Sequence, residues 1–244
     1  MLKIFIVSFS RASEGALSKL KKEMGEMLTT SLEEADYILA VGDRKETFDF
    51  VLGQWREGKK ILHLWAGEGN TNTKDDVYRN AMTLMSEIQL CTNYEAVKVV
   101  ELLCLAAKKH PCCEIVGNVM MDNLEIDESL VPKENYDLFL INKPYGKGYP
   151  YIIKEGEGDD NVLLWKNLSR PKFLGLLKNC KRFMTNSSCE YYEAPLFLKP
   201  EQIIHIGERN KERGSKYADM KIKNATKNII KALQSLEEAK NTKE

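Results

Sequence analysis

Hydrophobic positions along the chain fall into two alternating patterns. Short, nearly unbroken apolar runs occupy residues 2–9, 35–43, 59–68, 88–93 and 113–118. Between them, apolar residues recur every three or four positions, as in the stripe of Leu17, Leu20, Met24 and Met27. The segments 45–58, 75–88 and 94–110 carry the same helical spacing. A short apolar run bounded by Gly, Asp or Asn reads as a strand buried on both faces. Five such strands separated by helices predict an open parallel sheet covered on both sides.

After residue 122 the theme returns in reduced form. Residues 136–142, 161–167, 181–186 and 202–207 read as strands, and residues 170–180 as a helix with Pro171 near its start. Residues 187–195 form a turn into a short helix. The span 143–160 is rich in Gly, Pro and charge, so it is read as a loop or a hairpin. Near the end, Ile222, Ala225, Ile229, Leu233 and Leu236 make one apolar stripe, the docking face of a closing helix. The polar connector at 120–135, with Pro132, is the expected hinge. The predicted organisation is an N-terminal domain over 1–122, a smaller domain over 133–219 and a closing helix over 220–240. The fold class is α/β: two small doubly wound, Rossmann-like domains with parallel sheets, with a ligand cleft expected between the carboxyl ends of the two sheets.

Charge narrows the partners. Lys+Arg and Asp+Glu each number 36, so no overall field attracts nucleic acid or an anionic membrane, and neither is expected as a partner. The apolar N-terminus is too short for a signal peptide and is read as the first strand. Six cysteines show no CxxC and no zinc-like spacing, which points to reduced thiols, a cytoplasmic location and no bound metal; no cofactor is expected either. His63 and His205 lie inside apolar strands and read as satisfied core histidines. His110 sits at a helix end, where a cap or dipole contact accounts for it.

Polar residues gather just past the strand ends, where doubly wound proteins hold ligands. Arg11 follows the first strand, and can clamp a phosphate bidentately or be a surface arginine. Asp43 follows the second, as a general base, a hydroxyl ligand or a helix cap. Gly67 and Glu68 follow the third, with Asp75, Asp76 and Arg79 at the next helix start. Asn142 and Lys143 open the second domain's loop. Asn186, Ser187 and Ser188 follow the strand at 181–186, where they can cradle a phosphate or simply cap a helix. Glu193 is expected about one and a half turns into that helix, within reach of sugar hydroxyls.

In this order, several stretches resemble the UDP-N-acetylglucosamine 2-epimerases, especially the hydrolysing branch that releases UDP and N-acetylmannosamine. They are SRASEGALSKL (10–20), ADYILAVGDRKE (35–46), ILHLWAGEGNTNTKDDVYRNAMTLMS (61–86), IVGNVMMDN (115–123), FMTNSSCEYYEAP (183–195) and HIGERNKER (205–213). The resemblance implies a two-domain GT-B fold binding a UDP-sugar, with a homodimer as a possible assembly. It places Arg11 near the diphosphate and makes Asp43, Glu68, Asp75 and Asp76 the acid/base set, with Arg79 beside them. It makes Asn186, Ser187 and Ser188 the diphosphate loop and Glu193 the ribose ligand, and sets Arg209 and Arg213 on late family arginines.

The departures are equally specific. Trp65 stands where the family has a glutamate, and Lys143 where it has a histidine; Lys143 still offers a diphosphate a point charge. The chain is also shorter than typical members. Three readings follow: an active epimerase-like enzyme, a UDP-sugar-binding module with impaired turnover, and a glycosyltransferase of GT-B type.

Overall fold

The computed structural model describes residues 1–9, 11–69, 74–122, 124–141, 149–155, 161–166, 168–207 and 222–241, without the side chains of 11–14, 74, 192 and 239–241. The chain divides into two units: Met1–Asn123 with Ala218–Glu244, and Leu124–Tyr217.

The first unit is built on strands β1 (Ile4–Val7), β2 (Leu28–Thr29), β3 (Tyr37–Val41), β4 (Lys60–Leu64), β5 (Ile88–Cys91) and β6 (Cys113–Ile115). They form one parallel sheet in the order β2-β1-β3-β4-β5-β6. The two-residue β2 has no sequence signature. It pairs with β1 on the outer edge, so the chain reverses its winding between β1 and β3. Alternate residues of each strand face opposite layers. Ile4, Leu39, Leu62 and Leu90 pack with Leu17 and Leu20 of α1 (Arg11–Met24), while Val7, Ile38, Ala40 and Ile61 pack with α2 (Lys45–Arg56) and α3 (Lys74–Met85) through Val51 and Met82. Helix α4 (Tyr94–Ala106) adds Ala96, Val100 and Cys104 against Cys91.

The winding puts α1 alone on one face, which leaves the β4–β6 side of that face in need of cover. The last helix, α7 (Ala225–Asn241), supplies it. Ala225, Ile229 and Leu233 are fully buried in the same cluster as Leu62, Leu90 and Val116. The predicted docking stripe therefore belongs to the core of the first unit, although it lies at the far end of the chain. Glu237 also accepts from the Leu2 backbone N–H at 3.0 Å.

The second unit carries β7 (Tyr136–Leu140), β8 (Pro150–Lys154), β9 (Val162–Leu164), β10 (Arg182–Thr185) and β11 (Ile203–His205), in the order β11-β10-β7-β8-β9. The expectation of a parallel sheet holds for β7, β10 and β11 but not for β8 and β9, which pair antiparallel. The connections decide this: residues 141–149 and 155–161 are too short for the crossover that parallel neighbours need. Helix α5 (Arg170–Asn179) and the short α6 (Cys189–Tyr192) cover one face, burying Leu174, Leu177 and Cys189 against Tyr136, Leu138, Ile152 and Phe183. Helix α6 ends before Glu193, which instead opens a 3-10 turn, so the expected longer helix is corrected to a single turn. Among the described residues, no helix is long and apolar enough to cross a membrane.

Candidate active site

The first unit gathers charge at the carboxyl ends of β3 and β4 and at the start of α3. Asp43 lies two residues past β3, and Glu68 lies in the turn after β4. Asp76 and Arg79 stand one helical turn apart on α3, so both project from one face. Arg79 organises the group. Its guanidinium is ion-paired with Asp43 and Asp76 and donates to the Glu68 carbonyl at 3.0 Å, with only 8% of its side chain exposed. A planar fork with five donors suits several acceptors at once.

Glu68 is itself fixed. Its carboxylate accepts from the Thr92 hydroxyl, and Asn93 donates to Thr92 at 3.1 Å while its own carbonyl caps α4 at Ala96 N–H, 2.8 Å away. Thr92 and Asn93 were not singled out from the sequence. The rule that polar residues just past a strand end line the site would have found them, since they follow β5. Asp75, next to this cluster, has its carboxyl pushed above the usual carboxylate range by burial and then by the Asp43 charge, with Arg44 and Arg79 opposing.

Two features hold the turn after β4. A Cβ on Gly67, whose φ is +72°, would come within 2.0 Å of the Ala96 carbonyl oxygen, so only glycine lets the turn approach α4. Trp65 adopts a φ of 69°, rare for a bulky residue. Its ring lies over Gly42, it packs against the first unit's core, and its indole Nε1 is buried with no partner among the described residues.

His63 is a satisfied core histidine, as its apolar setting predicts. It is fully buried; Nε2–H donates to the Gly42 carbonyl at 3.0 Å and the Thr83 hydroxyl meets Nδ1 at 3.0 Å. Burial pushes its pKa down to about 4, with the nearby Arg79 acting in the same direction. His205 departs from the same expectation. It ends β11 with 35% of its side chain exposed and pairs with Glu190 at 3.0 Å. An apolar strand only three residues long has its last position at the rim, and that is why the pattern misled.

In the second unit the Thr185 hydroxyl donates to the Leu140 carbonyl at 2.6 Å and accepts from the Ser187 N–H at 2.9 Å, which shapes the 186–188 turn past β10. Glu193 is nearly buried and accepts from Arg170 Nε at 2.8 Å. Arg170 and Glu190 carried no signal in the sequence, because their partners lie 23 and 15 residues away. Arg11 begins α1, but its side chain lies outside the described residues, as do Asn142, Lys143, Arg209 and Arg213.

All six cysteines are unpaired, and among the described residues no group of three His, Cys, Asp or Glu side chains is arranged to hold a metal. Cys91 and Cys180 are buried, and that environment raises both thiols.

Comparison with known proteins adds a family. A family profile described as UDP-N-acetylglucosamine 2-epimerase matches residues 10–146. A UDP-N-acetylglucosamine 2-epimerase of Neisseria meningitidis serogroup B is 24% identical over 245 residues, covering 82% of this chain. The chain spans 63% of the length of that relative. A UDP-N-acetylglucosamine 2-epimerase from Rickettsia bellii superposes with a TM-score of 0.68 at 13% identity, covering 96% of each chain. S. aureus MnaA, solved with UDP, gives 0.66 at 15% identity, covering 85% of this chain and 80% of its own. The N. meningitidis enzyme bound to UDP-GlcNAc gives 0.61 at 15%, covering 97% and 91%. These likenesses establish the α/β, GT-B-like fold.

Proposed function

The chain belongs to the UDP-N-acetylglucosamine 2-epimerase family, and from that premise we propose that it binds a UDP-sugar, eliminates UDP and hydrates the resulting glycal to N-acetylmannosamine, as a shortened member of the hydrolysing branch. The observation that carries the reading is the cluster of Asp43, Glu68 and Asp76 around Arg79 at the carboxyl ends of β3 and β4.

Elimination across C1 and C2 needs a base for a weakly acidic proton and an acid or clamp for the departing diphosphate. Two carboxyl groups with unlike environments can divide that work. Asp75, whose carboxyl is pushed up, holds a proton more readily and serves as the acid. Asp43, ion-paired to Arg79, serves as the base, and Glu68, held by Thr92, directs water. In the second unit Asn186, Ser187 and Ser188 bind the diphosphate and Glu193 binds the ribose hydroxyls, moving from Arg170 to do so. Arg11, Lys143, Arg209 and Arg213 are further phosphate ligands in this reading. Six free thiols support a cytoplasmic setting.

The test is incubation with UDP-N-acetylglucosamine in D2O, followed by NMR. Release of UDP with C2-deuterated N-acetylmannosamine is expected, and Asp75→Asn should slow it by roughly 10²–10⁴. Absence of both products at high enzyme concentration rejects turnover.

Trp65 favours a second reading, a binding module with lost turnover. Its indole, partly buried with Nε1 enclosed, occupies a position that the family resemblance gives to a carboxylate, and an indole transfers no proton there. On that reading calorimetry shows UDP binding without turnover, and Ser187→Ala with Glu193→Ala abolishes it.

A further inference from the structure

His205 is a histidine with both ring nitrogens facing acceptors. Nδ1 lies 3.0 Å and 3.2 Å from the two Glu190 carboxylate oxygens, and Nε2 contacts the Gly207 carbonyl oxygen. A carbonyl oxygen and a carboxylate can only accept. A ring with a hydrogen on each nitrogen, an imidazolium cation, satisfies all of these contacts at once.

The pair is asymmetric. The Glu190 side chain is 4% exposed and that of His205 is 35% exposed, so the histidine is the member turned outward. Its position is set by the sheet. His205 is the register partner of Thr185, the last residue of β10, and Ile206 N–H donates to the Thr185 carbonyl at 2.9 Å. The next three residues of that neighbouring strand are the 186–188 turn. Glu190 belongs to the same construction, because its backbone N–H donates to the Ser187 carbonyl at 3.2 Å. One residue, Glu190, thus bonds the turn through its backbone and holds the histidine ring beside it through its buried carboxylate.

We infer that His205 is a cationic ligand for the diphosphate of the nucleotide held at the 186–188 turn, with Glu190 as its positioning residue. The inference rests on the UDP-sugar reading of that turn. On binding, Nε2–H exchanges the Gly207 carbonyl for a phosphoryl oxygen, a charged acceptor that makes the stronger bond. No proton leaves the ring, and no bond to the phosphate forms or breaks.

The full chain is titrated calorimetrically with UDP, uridine and inorganic pyrophosphate. His205→Gln should weaken UDP and pyrophosphate by roughly tenfold or more and leave uridine unchanged. Glu190→Gln should shift the same two ligands in the same direction. A measurement on the unaltered protein guards against misfolded variants: the Cε1–H resonance of His205 should move on adding pyrophosphate, while that of buried His63 stays in place.

Unchanged UDP affinity in His205→Gln, equal loss of UDP and uridine, or a stationary His205 resonance at saturating pyrophosphate overturns the inference and leaves the UDP-sugar reading standing. Pyrophosphate binding with a moving His205 resonance, but no UDP binding, supports His205 as an anion ligand and rejects that reading. A protein that binds neither ligand overturns both.

Discussion

The two units place polar residues past their strand ends in the same way but treat charge differently. In the first, the sheet is covered on both faces, and Arg79, nearly buried, is shared by Asp43 and Asp76. In the second, the described helices cover one face, and the ion pairs join different residues: Arg170 with Glu193, and His205 with Glu190. A buried cation shared among several acceptors ties neighbouring loops into one cooperative element, because losing it removes a charge partner from both carboxylates at once. Each of these pairs sets a nearly buried carboxylate against a more exposed cation, so the cation is the member within reach of solvent.

The sharpest way to break this contrast is Arg79→Met. It leaves Asp43 and Asp76 without their cation, so urea denaturation should show a loss of about 3 kcal/mol or more. A loss below about 1 kcal/mol would mean that the cluster is solvated like an ordinary surface pair. Gly67→Ala comes next. The positive φ and the 2.0 Å approach to the Ala96 carbonyl together should cost at least about 2 kcal/mol in urea denaturation and displace Glu68.

The buried layer of the first unit also predicts a pH effect. His63 is neutral in the fold with its pKa lowered to about 4, while the unfolded chain protonates near 6.5. The unfolded state therefore binds more protons between these values. Stability is complete above pH 6.5, falls as pH drops below it, and levels off near pH 4. From pH 7 to pH 5 the His63 contribution should amount to about 2 kcal/mol, and His63→Gln should flatten that part of the curve. The smallest effect is expected in the second unit. Arg182→Gln removes an exposed partner of Asp137, and thermal melting should stay within measurement scatter.

The strands and helices of the first unit were legible because each reports its own burial through a local period. Ile38, Leu39, Ala40 and Val41 form an unbroken apolar run since both faces of β3 are covered. Asp75 and Asp76 marked a helix start for a reason internal to the helix. Elsewhere the local signal was absent or misleading. Two residues of β2 are too few to show a period. His205 shared its apolar neighbours' appearance but lies at the end of its strand. The direction of β8 and β9 depended on loop lengths rather than on side chains.

By itself, the amino-acid sequence determined the strand–helix alternation, the apolar faces and the residue types that stand past each strand end. These follow from periods of two and 3.6 residues, which any short segment displays alone. Only the tertiary structure decided that Arg79 would bind Asp43 across 36 residues, that Glu190 would hold His205, and that a helix at the end of the chain would complete the core of the unit at its beginning. Those outcomes depend on which surfaces remain uncovered once the sheet has wound. That quantity belongs to the assembled chain and to no segment of it.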